Sequence, residues 1–203
     1  MLLCPSVWAC SHGKDLNRDF PDRFSPTGMA TTGKEQPETR AIMEWTLKTG
    51  FTASASMHEV GAELIKTALV VPGCLSTDGL PRTLQGALVA NYPWDGTPNH
   101  TTAYMASPDD ITFKHLANLY AQSHSKMARS DNPEFPNGGT TNGAAWYPIY
   151  GSMQDWNYIV ARCMELTLEL SPNKWPAEAQ LPELWQDNRK ALLDFAWAAA
   201  YGG

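Results

Sequence analysis

The stretch Phe51-Thr52-Ala53-Ser54-Ala55-Ser56-Met57-His58 decides the fold class of this 203-residue chain. Apolar and small polar residues alternate along it with a period of two, which is typical of a β-strand. Residues 36–49 directly before it predict a helix, because Pro37 suits the first turn and Gly50 is a stop signal. A helix that leads at once into a strand indicates an α/β sheet. Ligands bind such sheets at the carboxyl ends of strands, where His58 falls.

Helices and strands continue to alternate further along the chain. Ser107-Pro108-Asp109-Asp110 predicts the start of a helix, and the alternating residues 163–170 predict a strand. Apolar residues at helical spacing, Leu181 and Trp185 among them, predict a last helix over Leu181–Tyr201. Residues 131–142, rich in Pro, Gly and Asn, predict a long loop. We therefore expect one layered α/β domain.

Composition and charge exclude several classes of function. At 203 residues and 43% hydrophobic content the chain can bury one substantial core. A net charge of -6 and an isoelectric point near 5.3 argue against a nucleic-acid partner. No apolar run approaches the length needed to span a membrane. The four cysteines follow no zinc-knuckle or CxxC spacing, so they do not define a metal site or a redox compartment.

The segment Asp15-Leu16-Asn17-Arg18-Asp19-Phe20-Pro21-Asp22-Arg23-Phe24 contains a candidate anion site. The guanidinium of Arg18 can bind a carboxylate through two parallel hydrogen bonds, and the amide of Asn17 can add a third donor. A peptide C-terminus is thus a plausible ligand. The alternative is a surface loop in which Arg18 pairs internally with one of the neighbouring aspartates.

Five sequence words carry a resemblance to a known family: DLNRDFPDRF, SASMH, GALVANYPWDGT, TNGAAWYPIYGSMQDWNYI and CMELTLELSPNKWP. In this order they resemble the zinc metallocarboxypeptidases, in the carboxypeptidase N/E/D/M branch. The resemblance covers about residues 15–59 and 86–195. It implies a mixed, mostly parallel sheet flanked by helices, incomplete at the N-terminus, and an enzyme that releases C-terminal residues from peptides with bound Zn²⁺.

The resemblance implies that His58 is a zinc ligand, since it ends the word SASMH. A histidine that simply closes a strand is the alternative. The family takes its other two ligands from an upstream His-x-x-Glu pair, and only fourteen residues precede Asp15 here. His12-Gly13-Lys14-Asp15 has a similar spelling, but Asp15 is poorly placed to bind metal. We therefore expect two missing zinc ligands and an impaired enzyme.

Two further residues match the catalytic positions of the family. Glu169 matches the general base, which takes a proton from water and passes it to the leaving amine. Its alternative is an exposed acid on an alternating strand, as Glu165 on the same face would be. Tyr147 matches the mobile tyrosine that caps the bound substrate, with a buried aromatic role as the alternative. The separation of 22 residues between Tyr147 and Glu169 agrees with the family.

The preference for a basic last residue is implied by Asp95 and Gln154. These match the residues that line the pocket for the last side chain, and a carboxylate aided by an amide suits the long cation of Lys or Arg. A turn residue before Gly96 is the alternative for Asp95. His115 and His124 fall on the predicted helix, match no motif and are expected to be ordinary core or surface residues.

The predicted organisation has three parts. Residues 1–14 form a leader foreign to the family, and residues 15–203 form a partial catalytic domain. Residues 60–85 interrupt that domain, since their deletion restores the continuous word SASMHEGALVANYPWDGT. We interpret this insertion as a retained in-frame intron, with a genuine loop insertion as the alternative. The family implies a secretory or extracellular location, but the leader is a poor signal peptide.

The leading functional hypothesis is a zinc-dependent carboxypeptidase that releases C-terminal Lys or Arg from peptides or proteins. The alternative from another class is a non-catalytic module that binds basic peptide C-termini without metal. A chain that does not fold stably is a third possibility. Metal content and release of arginine would separate the first two, and the cooperativity of thermal unfolding would identify the third.

Overall fold

The computed structural model describes residues 13–58, 85–132, 134–173 and 176–201. It contains five helices and four strands in these ranges, together with two short 3-10 turns at Leu16–Arg18 and Glu178–Gln180. In chain order the elements are α1 (Pro37–Thr49), β1 (Ala53–His58), β2 (Gln85–Tyr92), α2 (Asp110–Ser123), β3 (Thr140–Asn142), α3 (Gly143–Trp146), α4 (Met153–Ile159), β4 (Met164–Asn173) and α5 (Leu181–Tyr201).

The four described strands form one mixed sheet in the order β1-β4-β2-β3. β1 is parallel to β4, β3 is parallel to β2, and β2 is antiparallel to β4. The register of β1 places Ser54 opposite Glu165 and His58 opposite Glu169. The predicted mixed, mostly parallel sheet flanked by helices is confirmed.

Helix α1 and strand β1 form as their sequences predict. Pro37 is the first residue of α1, where its missing N–H costs no hydrogen bond. Gly50 ends the helix in the left-handed region at φ 68°, and its N–H bonds the carbonyl of Thr46 at 2.9 Å. α2 departs from the prediction, because it begins at Asp110 and the residue before it makes no side-chain cap.

The main core lies between α2, α5 and the sheet. Phe113 and Tyr120 of α2 are fully buried against Leu166 and Leu168 of β4. Phe195 of α5 closes the same cluster. A smaller cluster contains Phe20, Met43 and Trp156.

Two sequence predictions are met with differences in detail. The helix predicted over Leu181–Tyr201 is α5; Leu181 and Trp185 are 51% and 58% exposed, while Ala191 and Phe195 lie on its buried face. The predicted loop 131–142 ends in the short strand β3, which pairs with β2. In the same loop, the Asn132 amide donates to the carbonyls of Leu88 and Met127 at 2.8 and 2.9 Å.

Parts of the predicted organisation lie outside the described residues. These are residues 1–12 of the leader and residues 60–84 of the insertion. Lys14 is described and pairs with Asp19. Gln85, the last residue of the insertion, pairs with Asn173 at the start of β2. Within the described ranges, none of the helices combines the length and apolar character needed to cross a bilayer.

His124 caps the carboxyl end of α2 and makes the stability of the fold depend on pH. Its Nδ1 accepts the backbone N–H groups of Lys126 and Met127 at 3.1 and 3.0 Å. Burial lowers the pKa of His124 to about 4. A proton on Nδ1 would remove both bonds, so the folded chain holds this imidazole in its neutral form.

We expect His124→Asn to reduce the loss of stability on acidification. As pH falls through about 6.5, the unfolded histidine takes up a proton while the folded one does not until about pH 4. Between pH 7 and pH 5 the free energy of unfolding of the wild type should therefore fall by about 1–2 kcal/mol more than that of the variant. Urea unfolding at the two pH values measures this difference. His115→Asn, an exposed change on α2, is the control. Equal losses in the wild type and His124→Asn would contradict the expectation.

Candidate functional site

Neighbouring parallel strands place His58 beside Glu169. The two residues are direct partners in the register of β1 and β4, and Glu169 is 3% exposed. Nε2 of His58 is hydrogen-bonded to Oγ of Ser56 at 2.8 Å. When this hydroxyl accepts the Nε2 proton, Nδ1 carries the lone pair that a metal ligand needs. Ser56 is a site residue that the sequence analysis missed.

His58 is held neutral and lies within electrostatic reach of the candidate anion site. Burial lowers its pKa to about 4; the charge of Asp15 acts in the opposite direction and that of Arg18 in the same direction. The neutral form is the one that binds a metal. The two charge effects show that residues 15–18 approach the end of β1.

A 3-10 turn presents Asn17 and Arg18. The carboxylate of Asp15 accepts the N–H of Asn17 at 2.9 Å, and Nη1 of Arg18 donates to the carbonyl of Asn17 at 2.9 Å. Nη1 of Arg18 lies 4.0 Å from Oδ2 of Asp15, which is the longest distance that still counts as an ion pair. These contacts use part of the five N–H donors of a guanidinium. Arg18 thus pairs with Asp15 at this limiting distance, and these contacts do not use all of its donors.

Contacts with the start of α4 fix this turn. Oδ1 of Asn17 accepts the N–H of Met153 at 2.9 Å, so the amide nitrogen is the donor end of this side chain. The N–H of Phe20 bonds the carbonyl of Gly151 at 3.1 Å. Gly151 has φ 75°, and a Cβ there would lie 2.9 Å from the carbonyl of Arg18. This close approach requires glycine.

Asp95 and Gln154 are in direct contact. Nε2 of Gln154 donates to Oδ1 of Asp95 at 3.0 Å, and both residues are 1% exposed. Burial raises the pKa of Asp95, while the charge of Arg18 lowers it. The carboxylate of Asp95 and the amide of Gln154 are therefore in contact, and the charge of Arg18 acts on Asp95.

Asp155 forms a second buried acid beside Asp95 and was missed by the sequence analysis. Its two carboxylate oxygens accept the N–H of Asp95 at 3.1 and 3.2 Å. Burial raises the pKa of Asp155 well above its usual range, and the charge of Asp95 adds to the effect. Two neighbouring acids in a dry environment resist ionising together.

Arg23 places a positive charge near Asp95 and Asp155. Its guanidinium lies 4.3 Å from the ring centres of both Phe24 and Trp94, and Nη2 donates to the carbonyl of Gly96 at 2.8 Å. Burial lowers the pKa of Arg23, against the charges of Asp155 and Asp95. Arg23 belongs to the same sequence motif as Arg18, but the motif alone does not reveal that Arg23 contacts Phe24, Trp94 and Gly96.

Gly143 leaves the space that Asp95 occupies. A Cβ at position 143 would lie 1.9 Å from Oδ1 of Asp95. The glycine is the first residue of α3, directly after the capping residue Asn142. Gly143 lies in the sequence motif TNGAAW, but the motif alone does not indicate that the carboxylate of Asp95, distant in the chain, occupies this space.

Tyr147 is 37% exposed. Its ring packs against Trp146 with centroids 4.7 Å apart, and Trp146 Nε1 donates to Glu134 at 3.0 Å. Two residues further, the N–H of Ile149 bonds the carbonyl of Asp95 at 2.8 Å. The backbone therefore joins Tyr147 to the pocket, and the alternative of a buried aromatic is wrong.

Glu165 is fully buried, so its interpretation as an exposed acid is wrong. One of its oxygens accepts the hydroxyl of Ser54 at 2.5 Å and the amide of Asn157. Burial raises the pKa of Glu165 to about 7, whereas these two hydrogen bonds act in the opposite direction. The charge of Asp95 also raises it, so Glu165 and Asp95 are near each other.

The described residues do not by themselves fit a zinc ion. A catalytic zinc site needs three protein ligands and an open position for water. Among residues 13–58, 85–132, 134–173 and 176–201, no three His, Cys, Asp or Glu side chains are grouped closely enough to hold a metal. His58 supplies one suitable nitrogen, and one ligand is not a site.

The chain belongs to the zinc carboxypeptidase family. The family model described as "Zinc carboxypeptidase" matches residues 5–67 and 83–191, which is most of the chain. These blocks include all seven residues predicted to bind substrate, zinc or a proton: Asn17, Arg18, His58, Asp95, Tyr147, Gln154 and Glu169.

Curated relatives agree with this assignment. Carboxypeptidase SOL1 of Arabidopsis thaliana is 48% identical over 180 residues, which cover 89% of this chain and 30% of that protein. Carboxypeptidase E of Caenorhabditis elegans is 36% identical, over 94% of this chain and 41% of its own length. Human carboxypeptidase D is 39% identical, over 90% of this chain and 12% of its own. The chain thus spans less than half the length of these relatives.

Solved structures show the same fold. Bovine thrombin-activatable fibrinolysis inhibitor, in its complex with tick carboxypeptidase inhibitor, superposes with a TM-score of 0.62 at 16% identity. The match covers 94% of this chain and 58% of the bovine chain.

We expect Gly143→Ala to displace the carboxylate of Asp95. The added methyl would overlap Oδ1, so the loop or the side chain must move at a cost of about 1–3 kcal/mol in the free energy of unfolding. Urea unfolding measures this loss. Ala145→Ser adds one atom to an exposed position of the same short helix and is the control. Unchanged stability in Gly143→Ala would show that the pocket is looser than the structure indicates.

Proposed function

We propose that this chain carries the substrate-binding and general-base part of a zinc-dependent carboxypeptidase that releases C-terminal Lys or Arg from peptides or proteins. The supporting observation is that Asn17 accepts the N–H of Met153 while the next residue, Gln154, donates to Asp95, and that the charge of Arg18 acts on both His58 and Asp95. The carboxylate-binding residue, the zinc-binding residue and the specificity residue therefore share one electrostatic environment.

Arg18 would hold the terminal carboxylate of the peptide. A fork of two N–H groups binds both oxygens, and charge-assisted bonds of this kind are stronger than neutral ones. The amide nitrogen of Asn17 would add a donor of fixed position, because the amide oxygen is held by the N–H of Met153. Recognition of this type selects a free chain end over an internal peptide bond.

The last side chain would enter beside Asp95. A buried carboxylate attracts a long cation strongly because little water screens the pair. Gln154 holds one carboxylate oxygen, so the acid has a defined orientation toward an incoming ammonium or guanidinium. Arg23 offsets part of the negative charge of Asp95 and Asp155 while the pocket is empty.

Glu169 would act as the base on a water molecule that attacks the last peptide carbonyl. It accepts a proton from this water and delivers it to the amine as the carbon–nitrogen bond breaks. Tyr147, which is 37% exposed, would donate its hydroxyl to the bound peptide.

A second candidate function is a module that binds basic peptide C-termini without hydrolysis. The observation that favours it is the contrast within the described residues, which offer the recognition groups Asn17, Arg18, Asp95 and Gln154 but one zinc ligand, His58.

Zinc content and turnover decide between the two functions. For the enzyme we expect one zinc per chain by atomic absorption and release of arginine from a chromogenic substrate, abolished by a chelator. Binding of the same substrate without zinc and without release would establish the module. Failure to bind peptides with a free, basic C-terminus would contradict both.

We expect Arg18→Lys to weaken binding of a peptide that ends in a free arginine. Lysine keeps the charge but loses the two-pronged geometry, and a charge-assisted hydrogen bond contributes about 1.5–3 kcal/mol, so affinity should fall by about tenfold to a hundredfold. Fluorescence anisotropy with a labelled peptide measures this affinity. The same peptide with an amidated C-terminus should bind the wild type and the variant alike. Arg40→Lys, on the exposed side of α1, is the matched control, and an equal effect there would count against Arg18.

A further inference from the structure

Glu165 joins three elements of the fold through one oxygen atom. Oε2 accepts the hydroxyl of Ser54 from β1 at 2.5 Å and the side-chain amide of Asn157 from α4. The thiol of Cys163 donates in turn to Ser54 Oγ at 3.2 Å. Glu165 itself lies on β4, so β1, β4 and α4 meet at a single buried acceptor.

Each joined element carries a residue of the proposed site. β1 ends in His58, β4 carries Glu169 four residues beyond Glu165, and α4 carries Gln154 one turn before Asn157. Residues three apart on a helix share a face, so a displacement of Asn157 also displaces Gln154. Gln154 is the residue that holds Asp95.

We propose that Glu165 is a positioning residue: through Asn157 it sets the place of α4, and so the orientation of Gln154 against Asp95 in the pocket for the last side chain. The inference rests on the proposed function and concerns its preference for a basic residue. The position requires an acceptor, because both groups that point at Oε2 are donors. A glutamine offers the same acceptor through its amide oxygen, and a leucine offers none.

A purely structural role predicts the same loss of stability as a positioning role. Glu165→Leu leaves the hydroxyl of Ser54 and the buried amide of Asn157 without their acceptor, so it lowers stability whether or not Glu165 positions Gln154. Stability alone therefore cannot identify a positioning role. A positioning role is identified by two other quantities: the orientation of Gln154, and the ratio of the affinities for peptides with basic and with apolar C-termini.

The experiment compares four variants in the full chain. Glu165→Leu removes the acceptor, and Glu165→Gln keeps one. Asn157→Ala removes the hydrogen bond between Glu165 and α4, and Ser54→Ala removes the one between Glu165 and β1. Glu44→Gln, at an exposed position of α1, is the control for loss of a carboxylate. Two quantities are measured: the Gln154 side-chain amide signal in a ¹⁵N correlation spectrum, assigned with Gln154→Ala, and the affinity ratio between peptides ending in arginine and in leucine.

We expect Glu165→Leu and Asn157→Ala to shift the Gln154 signal and to lower the affinity ratio by about tenfold, as outer residues that orient a site commonly do. Glu165→Gln and Ser54→Ala should leave both quantities near the wild type. An unmoved Gln154 signal in Glu165→Leu and Asn157→Ala overturns the inference, as does an equal shift in Ser54→Ala.

Failure of the proposed function gives a different pattern. If the wild type binds the arginine and leucine peptides alike, the basic preference is refuted, and the Gln154 signal still decides whether Glu165 positions α4. If the wild type prefers arginine and Glu165→Leu keeps both the ratio and the signal, the proposed function stands and the role of Glu165 falls.

Discussion

The register between β1 and β4 is the constraint on which the rest of this structure depends. Because the two strands are parallel and paired residue for residue, His58 lies opposite Glu169 and Ser54 lies opposite Glu165. A shift by one residue would turn every side chain of β1 to the other face of the sheet. The pairing of the candidate base Glu169 with the candidate zinc ligand His58 and the contact of Ser54 with Glu165 would then be lost together.

The interior beneath this pair of strands is unusually polar. Asp95, Asp155 and Glu165 are all buried, and each accepts hydrogen bonds from groups brought by other elements. Burial of carboxyl groups opposes folding unless they are paired or protonated. Such a cluster is typical of a site whose residues are selected for recognition or chemistry rather than for stability.

Local patterns in the sequence predict most of the fold but only part of the site. α1 and β1 follow from nearby residues, since Pro37 and Gly50 set the helix ends and alternation sets the strand. The buried face of α5 and the short helix α4 do not follow, because distant segments decide what packs on them. The alternation that marks β4 indicates an exposed Glu165, while the donors that keep it inside come from Ser54 and Asn157, far away in the chain.

The site residues show the same division. Arg18, His58, Asp95, Gln154 and Glu169 are proposed from sequence motifs, whereas the contacts of Ser56, Gly143 and Asp155 follow from a geometry that no motif reveals. Asp155 is the instructive case, because with Asp95 it forms a pair that cannot easily carry two charges. Any cation that settled beside this pair would favour its ionised state and expel hydrogen ions into the medium. The heat of such an association would then vary with the ionisation enthalpy of the buffer, a calorimetric signature that apolar ligands would lack.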